Sequence, residues 1–281
     1  MDPREWRASQ ARRTTSRLSG SEFTNLYETR RSSTRERVLA SGTLATWSRT
    51  ISTTESPRRR FGLPSIIVLL AIAAIALAGA FVKIAVEMRE GKTSAFDNTI
   101  LNAFRNPAGP STTIGPSWLY EAARDVTSIG SYSVLTIVMV LVVLYLLLAR
   151  KRFEAIYLTA AVISGVVVSN ALKIGFNRPR PFLDNTPEVF TASFPSGHAT
   201  MSAVVFLTLG AILAAHEPRR SLRMLFIGAA IVLTLVVGLS RVYLGVHYPT
   251  DVIAGWCLGT AWAILWSLAT QWLAQRRKAA C

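Results

Sequence analysis

The sequence predicts an all-α membrane protein, a bundle of six transmembrane helices preceded by a basic tail. Of its 281 residues, 51% are hydrophobic, and they cluster in long stretches. A helix needs about 20 residues to cross the apolar core of a bilayer. None of the stretches alternates between apolar and polar residues as a barrel strand does, so we interpret all of them as helices. The six stretches lie at 64–86, 132–149, 154–174, 199–215, 222–240 and 251–274.

The distribution of positive charge predicts which side of the membrane holds the termini. The net charge is +15, and residues 1–62 contain 13 Arg against 6 Asp or Glu. If every stretch spans, the remaining basic clusters lie on one side, which the positive-inside rule places in the cytoplasm with both termini. This pattern accounts for the basic composition, so we expect no nucleic-acid partner. The clusters are Arg150-Lys151-Arg152, Arg219/Arg220/Arg223 and Arg276-Arg277-Lys278.

Residues 1–62 form the first predicted domain, a tail rich in Arg, Ser and Thr. It has too few long apolar residues to build a core, so we expect it to be disordered or held against anionic lipid headgroups. An organelle transit peptide is an alternative, although such peptides are usually poor in acids. The second predicted domain, residues 63–281, holds the six spans. Its longest connection, 87–131, is expected outside as one or two short amphipathic helices, either lining the site or forming a plain surface loop.

Three short polar motifs lie in the connections on the side opposite the basic clusters. The first is KIGFNRPRP, residues 173–181, and the second is PSGH, residues 195–198, which opens the fourth stretch. The third is SRVYLGVHYPTD, residues 240–251. With six spans, the first two motifs share the connection between spans three and four, and the third connects spans five and six. The topology therefore predicts that all three meet at one membrane face.

The residues of these motifs have the chemistry of a phosphate site. Lys173, Arg180 and Arg241 supply three cations, of which the two Arg side chains offer paired donors to phosphate oxygens. Ser196 and Gly197 begin a helix, where free backbone N–H groups bind anions and glycine allows a close approach. Three fixed cations can neutralise a phosphate by themselves, so we expect no metal ion and no other cofactor.

His247 and Asp251 lie four residues apart, the spacing of neighbours on one helix face. A carboxylate at this spacing can accept a hydrogen bond from one ring nitrogen and leave the other free to attack. Pro249, between them, is typical of the first turn of a helix. The pair is therefore a candidate for an activated nucleophile at the start of the last span.

In their order and spacing, the three motifs resemble the phosphatidic acid phosphatase type 2 superfamily, over about residues 64–281. The resemblance implies the six-helix layout and a metal-independent phosphatase reaction. It implies that His247 attacks phosphorus to form a phosphohistidine, that Asp251 orients its ring, and that His198 protonates the leaving oxygen. The matching residues are Lys173, Arg180 and Pro181, then Pro195, Ser196, Gly197 and His198, then Ser240, Arg241, His247 and Asp251.

We therefore interpret the chain as an integral membrane lipid phosphatase whose site lies at the outer, in a bacterium periplasmic, face. The resemblance assigns phosphate binding to Lys173, Arg180, Arg241, Ser196 and Gly197. The expected substrate is a lipid phosphate or diphosphate. A polyprenyl diphosphate such as undecaprenyl diphosphate is favoured over phosphatidic acid, phosphatidylglycerol phosphate or a lipid A phosphate.

Other functions fit the same motifs. A lipid phosphotransferase would use the same phosphohistidine with another acceptor, and a transport or lipid-binding protein would keep the pocket without turnover. Vanadate-dependent haloperoxidases share the anion-binding residues but are soluble, which six spans oppose.

Overall fold

The computed structural model describes residues 63–107, 109–181 and 191–279, and these form eight helices and two short strands. The predicted disordered tail, residues 1–62, lies outside the described residues. The all-α fold class is confirmed. In chain order the elements are α1 (Leu63–Arg89), α2 (Ser94–Ala103), β1 (Arg105–Asn106), β2 (Gly109–Thr113), α3 (Ser117–Ile129), α4 (Tyr132–Leu148), α5 (Arg152–Phe176), α6 (Gly197–His216), α7 (Arg220–Tyr243) and α8 (Pro249–Ala279).

Five of these helices, α1 and α5 to α8, are long and apolar enough to cross a membrane. The sixth predicted span corresponds to α4, which has 17 residues and reaches the length of a span together with α3, from which it is bent by 45°. The bend has a local cause, because Ser131 caps α4 by accepting a hydrogen bond from the N–H of Val134 at 3.2 Å. Gly130 fits beside it, since a Cβ there would collide with Val237.

Helix α6 is the most buried of the candidate spans and packs against α4, α5, α7 and α8. Helix α8 approaches it closely, because a Cβ at Gly255 would lie 2.9 Å from the carbonyl oxygen of Ser196. Small residues allow this kind of close helix contact inside a membrane. The packing fixes the start of α6 against the start of α8.

The connection between α1 and α4 contains α2, an antiparallel pair of strands and α3. Strands β1 and β2 pair through Arg105 and Thr113 and through Asn106 and Gly109. The sequence predicted one or two short helices here, and both are present, but it did not predict the strands. Strands of two and five residues are too short to give a recognisable alternation.

The ends of α1, α5 and α7 lie beside the starts of α4, α6 and α8, at what we call the site end of the bundle. Here the guanidinium of Arg89 donates to the carbonyl of Gly175 at 3.1 Å, which joins the ends of α1 and α5. The basic residues Arg150, Arg219 and Arg276 occur at the opposite ends of their helices. The separation of the motifs from the basic clusters is therefore present in the fold.

Candidate active site

All eight predicted site residues belong to two connections and the adjoining helix turns at the site end. Lys173 lies in the last turn of α5 and Arg241 in the last turn of α7. Arg180 and His247 lie in the connections that follow these two helices. Ser196, Gly197 and His198 of the second motif lie at the start of α6. Asp251 of the third motif lies in the first turn of α8.

The His247 side chain is 1% exposed and lies between a carboxylate and a guanidinium. Its Nδ1 lies 3.4 Å from Oδ2 of Asp251, and its Nε2 lies 3.0 Å from Nη1 of Arg180. Because an ionised carboxylate only accepts hydrogen bonds, Nδ1 carries the hydrogen and Nε2 keeps its lone pair. The second ring nitrogen is thus free of Asp251 and faces the cations.

Burial, followed by the positive charges of Arg180, Arg241 and Lys173, lowers the pKa of His247 well below its usual range. The ring is therefore neutral at pH 7. A neutral imidazole that keeps the lone pair on Nε2 can act as a nucleophile. Burial also lowers the pKa of Arg180, an effect that the charge of Asp251 opposes.

The three predicted cations are each anchored by the protein. Lys173 donates from Nζ to the carbonyl of Ala192 at 2.7 Å, and Nη1 of Arg241 donates to Oγ1 of Thr127 at 3.1 Å. Arg180 donates from Nε to the carbonyl of Thr191 at 2.9 Å. Such preorganised cations are the kind of group that stabilises a transferring phosphoryl group.

Two polar atoms of the predicted phosphate-binding residues are buried without a hydrogen-bond partner among the described residues, Oγ of Ser196 and Nε of Arg241. Buried polar groups are normally hydrogen-bonded. Ser196 is the N-cap residue of α6, but its side chain makes no cap hydrogen bond, so the first N–H groups of that helix are uncapped as well. The donors and the helix N-terminus together fit an anion.

Gly197 has little space around it. A Cβ at this position would lie 2.9 Å from the hydroxyl of Tyr132 and 3.4 Å from Cε of Lys173. Tyr132 begins α4 and was not singled out in the sequence, because its own neighbours carry no polar motif. The glycine therefore allows α4 and α5 to close on the start of α6.

The chain before α6 is fixed by an aromatic cluster. Phe194 is fully buried and lies 5.8 Å from Phe81 of α1 and 4.9 Å from Phe176 of α5, measured between ring centroids. Ring pairs of this geometry stabilise beyond their buried area. The cluster fixes the position of Ser196 and Gly197 relative to α1 and α5.

Two charged residues behind Asp251, Arg178 and Asp97, were not predicted from the sequence. Arg178 donates to Oδ1 of Asp251 at 2.6 Å and to Oδ2 of Asp97 at 2.7 Å. Burial disfavours the charge on Arg178, but the two carboxylates outweigh it and raise the pKa of the guanidinium. Arg178 lies inside the first motif, where a second Arg so close to Arg180 could have indicated from the sequence that it belongs to the site. Asp97 is the only acid of α2, and a buried acid requires a partner.

Within the part of the chain that the structure describes, no group of three or more His, Cys, Asp or Glu residues could hold a metal ion. The charged groups around His247 are instead Lys173, Arg180 and Arg241 on one side and Asp251 on the other. The site can thus bind an anion and offer a neutral imidazole to it.

The chain is similar to known membrane phosphatases. A family model described as the PAP2 superfamily matches residues 153–275. Phosphatidylglycerophosphatase B of Bacillus subtilis (strain 168) is 32% identical over 144 residues, which are 50% of this chain and 70% of that protein. An undecaprenyl-diphosphatase of Sulfolobus acidocaldarius is 34% identical over 123 residues, which are 42% of this chain and 55% of that protein.

A solved structure has the same fold. The crystal structure of the first transmembrane PAP2 type phosphatidylglycerolphosphate phosphatase from Bacillus subtilis matches with a TM-score of 0.63 at 28% identity. The match covers 70% of this chain and 96% of that one.

Proposed function

The chain belongs to the PAP2 superfamily, and on that premise we propose that it hydrolyses the terminal phosphate of a lipid phosphate or diphosphate through a phosphohistidine. It is a membrane lipid phosphatase. The observation that carries the proposed mechanism is the position of His247, with Nδ1 toward Asp251 and Nε2 toward the cations.

In the first step, Nε2 of His247 attacks the terminal phosphorus and the bond from phosphorus to the leaving oxygen breaks. His198 gives its proton to that oxygen, which departs as the lipid alcohol or, from a diphosphate, as the lipid monophosphate. Asp251 keeps Nδ1 protonated and balances the positive charge on the phosphorylated ring. The N–H of Arg180 that now faces Nε2 turns to a phosphoryl oxygen.

In the second step, His198 removes a proton from water, which attacks the phosphohistidine. The bond between nitrogen and phosphorus breaks, inorganic phosphate leaves, and both histidines return to their starting state. Lys173, Arg241 and the start of α6 stabilise the phosphoryl oxygens in both steps. Two buried atoms without a hydrogen-bond partner among the described residues, Nε of Arg241 and Oγ of Ser196, support this role.

We place this site at the extracytoplasmic face, with both termini in the cytoplasm. The basic residues Arg150, Arg219 and Arg276 occur at the opposite ends of the helices from the site, and short cytoplasmic connections carry an excess of Arg and Lys. A phosphate at the level of the lipid headgroups would then reach His247 while its apolar tail stays in the bilayer.

The substrate is a phosphorylated lipid, and two such lipids are the leading candidates. A polyprenyl diphosphate is favoured by the sequence analysis and is supported by the similarity to the Sulfolobus undecaprenyl-diphosphatase. Phosphatidylglycerol phosphate is supported by the similarity to the Bacillus enzyme. Both present a terminal phosphate to the same cations, so they are compared directly in the experiment below.

The test is phosphate release by the purified protein in detergent, in the presence of EDTA, from undecaprenyl diphosphate, phosphatidylglycerol phosphate, phosphatidic acid and a lipid A phosphate. We expect release by the wild type and none by His247→Ala. His216→Ala is the matched control, because His216 lies at the last turn of α6 at the other end of the bundle, with Nδ1 2.9 Å from the carbonyl oxygen of Ile212.

Two results would contradict the proposal. Release that persists in His247→Ala would exclude the phosphohistidine. A folded wild type that consumes no lipid phosphate would exclude hydrolysis, and transfer of the phosphate to an added lipid alcohol would then identify a phosphotransferase.

A further inference from the structure

Arg178 lies between two carboxylates that are both fully buried, Asp97 and Asp251. One guanidinium thus serves two acids, one of which comes from α2 in the connection outside the six spans. A buried carboxylate without a cationic partner is costly. The three side chains therefore form one interdependent unit rather than two separate ion pairs.

Arg178 fixes the rotation of the Asp251 carboxylate. Oδ1 of Asp251 accepts from Nη1 of Arg178 at 2.6 Å, so Oδ2 is turned the other way. There Oδ2 accepts from the N–H of Tyr248 at 3.0 Å and faces Nδ1 of His247 at 3.4 Å. Loss of the Arg178 contact would free the carboxylate to rotate away from the His247 ring.

Asp97 in turn fixes Arg178. Oδ2 of Asp97 accepts from Nη2 of Arg178 and from the hydroxyl of Thr250, both at 2.7 Å. Oδ1 of Asp97 accepts from the N–H of Thr250 at 3.0 Å. The guanidinium also lies over the ring of Tyr248, 4.1 Å from its centroid. The chain of contacts starts on α2 and ends at the Nδ1 side of His247.

The charges of this unit match the proposed reaction. Attack of Nε2 on phosphorus gives the His247 ring a positive charge, and two carboxylates against one guanidinium leave a net negative charge on the Nδ1 side. Fixed charge placed where charge develops stabilises a transition state without reorganisation. Asp97 supplies one of the two negative charges without touching the substrate.

We infer that Asp97 and Arg178 are positioning residues that hold the Asp251 carboxylate in the orientation that aims Nε2 of His247 at the substrate phosphate. The inference rests on the proposed function, since it concerns the same nucleophile. It also assigns a role to α2, which supports the nucleophile from outside the membrane spans.

The main variant is Asp97→Asn, which keeps the shape but places an amide opposite Arg178. Thr250→Val is the second variant, because it removes only the hydroxyl that contacts both Asp97 and Arg178. The matched control is Thr99→Val on α2, the helix that carries Asp97. The exposed hydroxyl of Thr99 donates to the carbonyl of Ala95 at 2.7 Å. For all four proteins we would measure kcat, KM, inhibition by orthovanadate and the thermal midpoint in detergent.

We expect kcat of Asp97→Asn to fall about 10-fold to 100-fold, the range that small misplacements of a reacting group produce. KM and the orthovanadate affinity should stay within about twofold, because Lys173, Arg180 and Arg241 are untouched. The kcat of Thr250→Val should fall by a smaller factor, and the kcat of Thr99→Val should match that of the wild type. A joint loss of kcat, orthovanadate affinity and thermal midpoint would show a merely structural role and overturn the inference.

A second readout does not depend on turnover. The chain has three histidines, so ¹⁵N NMR of labelled imidazoles can be assigned with His198→Gln and His216→Gln. We expect the wild-type His247 to carry its hydrogen on Nδ1 and Asp97→Asn to show a mixture of the two tautomers. Unchanged His247 signals with unchanged kcat would overturn the inference while the phosphatase proposal stands. If the wild type releases no phosphate, the proposed function fails and the tautomer alone decides the inference.

Discussion

The guanidinium of Arg180 lies 3.0 Å from Nε2 of His247, on the side of the ring opposite Asp251. This arrangement places a cation where the phosphoryl group is expected and a carboxylate where the ring needs support. Burial and, after it, the charge of Arg180 lower the pKa of His247 and keep the ring neutral, while the carboxylate selects the tautomer. The two neighbours of one imidazole thus prepare it in different ways for the proposed attack.

Asp251→Asn should abolish most of the activity while leaving substrate binding intact. The amide can present an N–H to Nδ1 of His247, which would move the ring hydrogen to Nε2 and remove the lone pair from the site. Loss of the corresponding carboxylate in a serine protease triad lowers kcat by about 10⁴-fold, and we expect a fall of about 10³-fold or more here. Steady-state kcat and KM of phosphate release measure it, and a KM effect without a kcat effect would contradict the assigned role.

His198→Gln should slow both proposed steps, because the same ring donates a proton to the leaving oxygen and later accepts one from water. General acid catalysis contributes about 10²-fold to 10⁴-fold. A lipid-tailed aryl phosphate, whose leaving group needs no proton, should restore the first step only. We therefore expect a burst of phenol release and accumulation of acid-labile phosphoprotein in the variant. Full turnover of this substrate without accumulation would exclude His198 from the second step.

Gly197→Ala should weaken phosphate binding, because the new Cβ would lie 2.9 Å from the hydroxyl of Tyr132. The start of α6 or Tyr132 must then move, and we expect KM to rise about tenfold, which corresponds to about 1.4 kcal/mol of lost binding. Tyr132→Phe removes the obstructing oxygen, so the double variant should recover much of the loss. The KM values of the four proteins form the cycle. Additive effects in the double variant would show that the two positions do not interact.

The site residues predicted from the sequence all lie in short contiguous motifs at helix ends. Lys173, Arg241 and Asp251 are close in space because alternating spans return each second connection to the same face. Asp97 is different, since it is separated from Thr250 by 153 residues and reaches it only through the docking of α2. Its own surroundings carry no motif, so periodicity and spacing could not predict it.

The fold, like the site, could be predicted from the sequence only in part. The apolar stretches were sufficient to predict the five helices that are long enough to span and the apolar half of the bent pair, because length and composition decide membrane insertion. The bend between α3 and α4 depends on single residues: Gly130 leaves room for Val237, and Ser131 accepts a hydrogen bond from the N–H of Val134. Local sequence could therefore predict which segments are helices but not how the connection between α1 and α4 folds over the site.

The buried His247 should make the protein less stable in mild acid. Its pKa in the folded protein is far below the usual value, which is about 6.5 in the unfolded chain. Below pH 6.5 the unfolded chain therefore binds a proton that the folded protein does not, and stability falls as pH decreases. Above pH 6.5 both states are neutral at this position and the contribution is constant.

One proton taken up on unfolding changes the free energy of unfolding by about 1.4 kcal/mol per pH unit. His247→Gln keeps a polar side chain but cannot titrate, so it should lose this part of the pH dependence. We would measure the thermal midpoints of both proteins from pH 7.5 to pH 5.0. The wild-type midpoint should fall more steeply below pH 6.5, and the difference between the proteins should be constant above it. Parallel curves across the whole range would show that the pKa of His247 is the same in the folded and unfolded protein, which would contradict the lowered pKa.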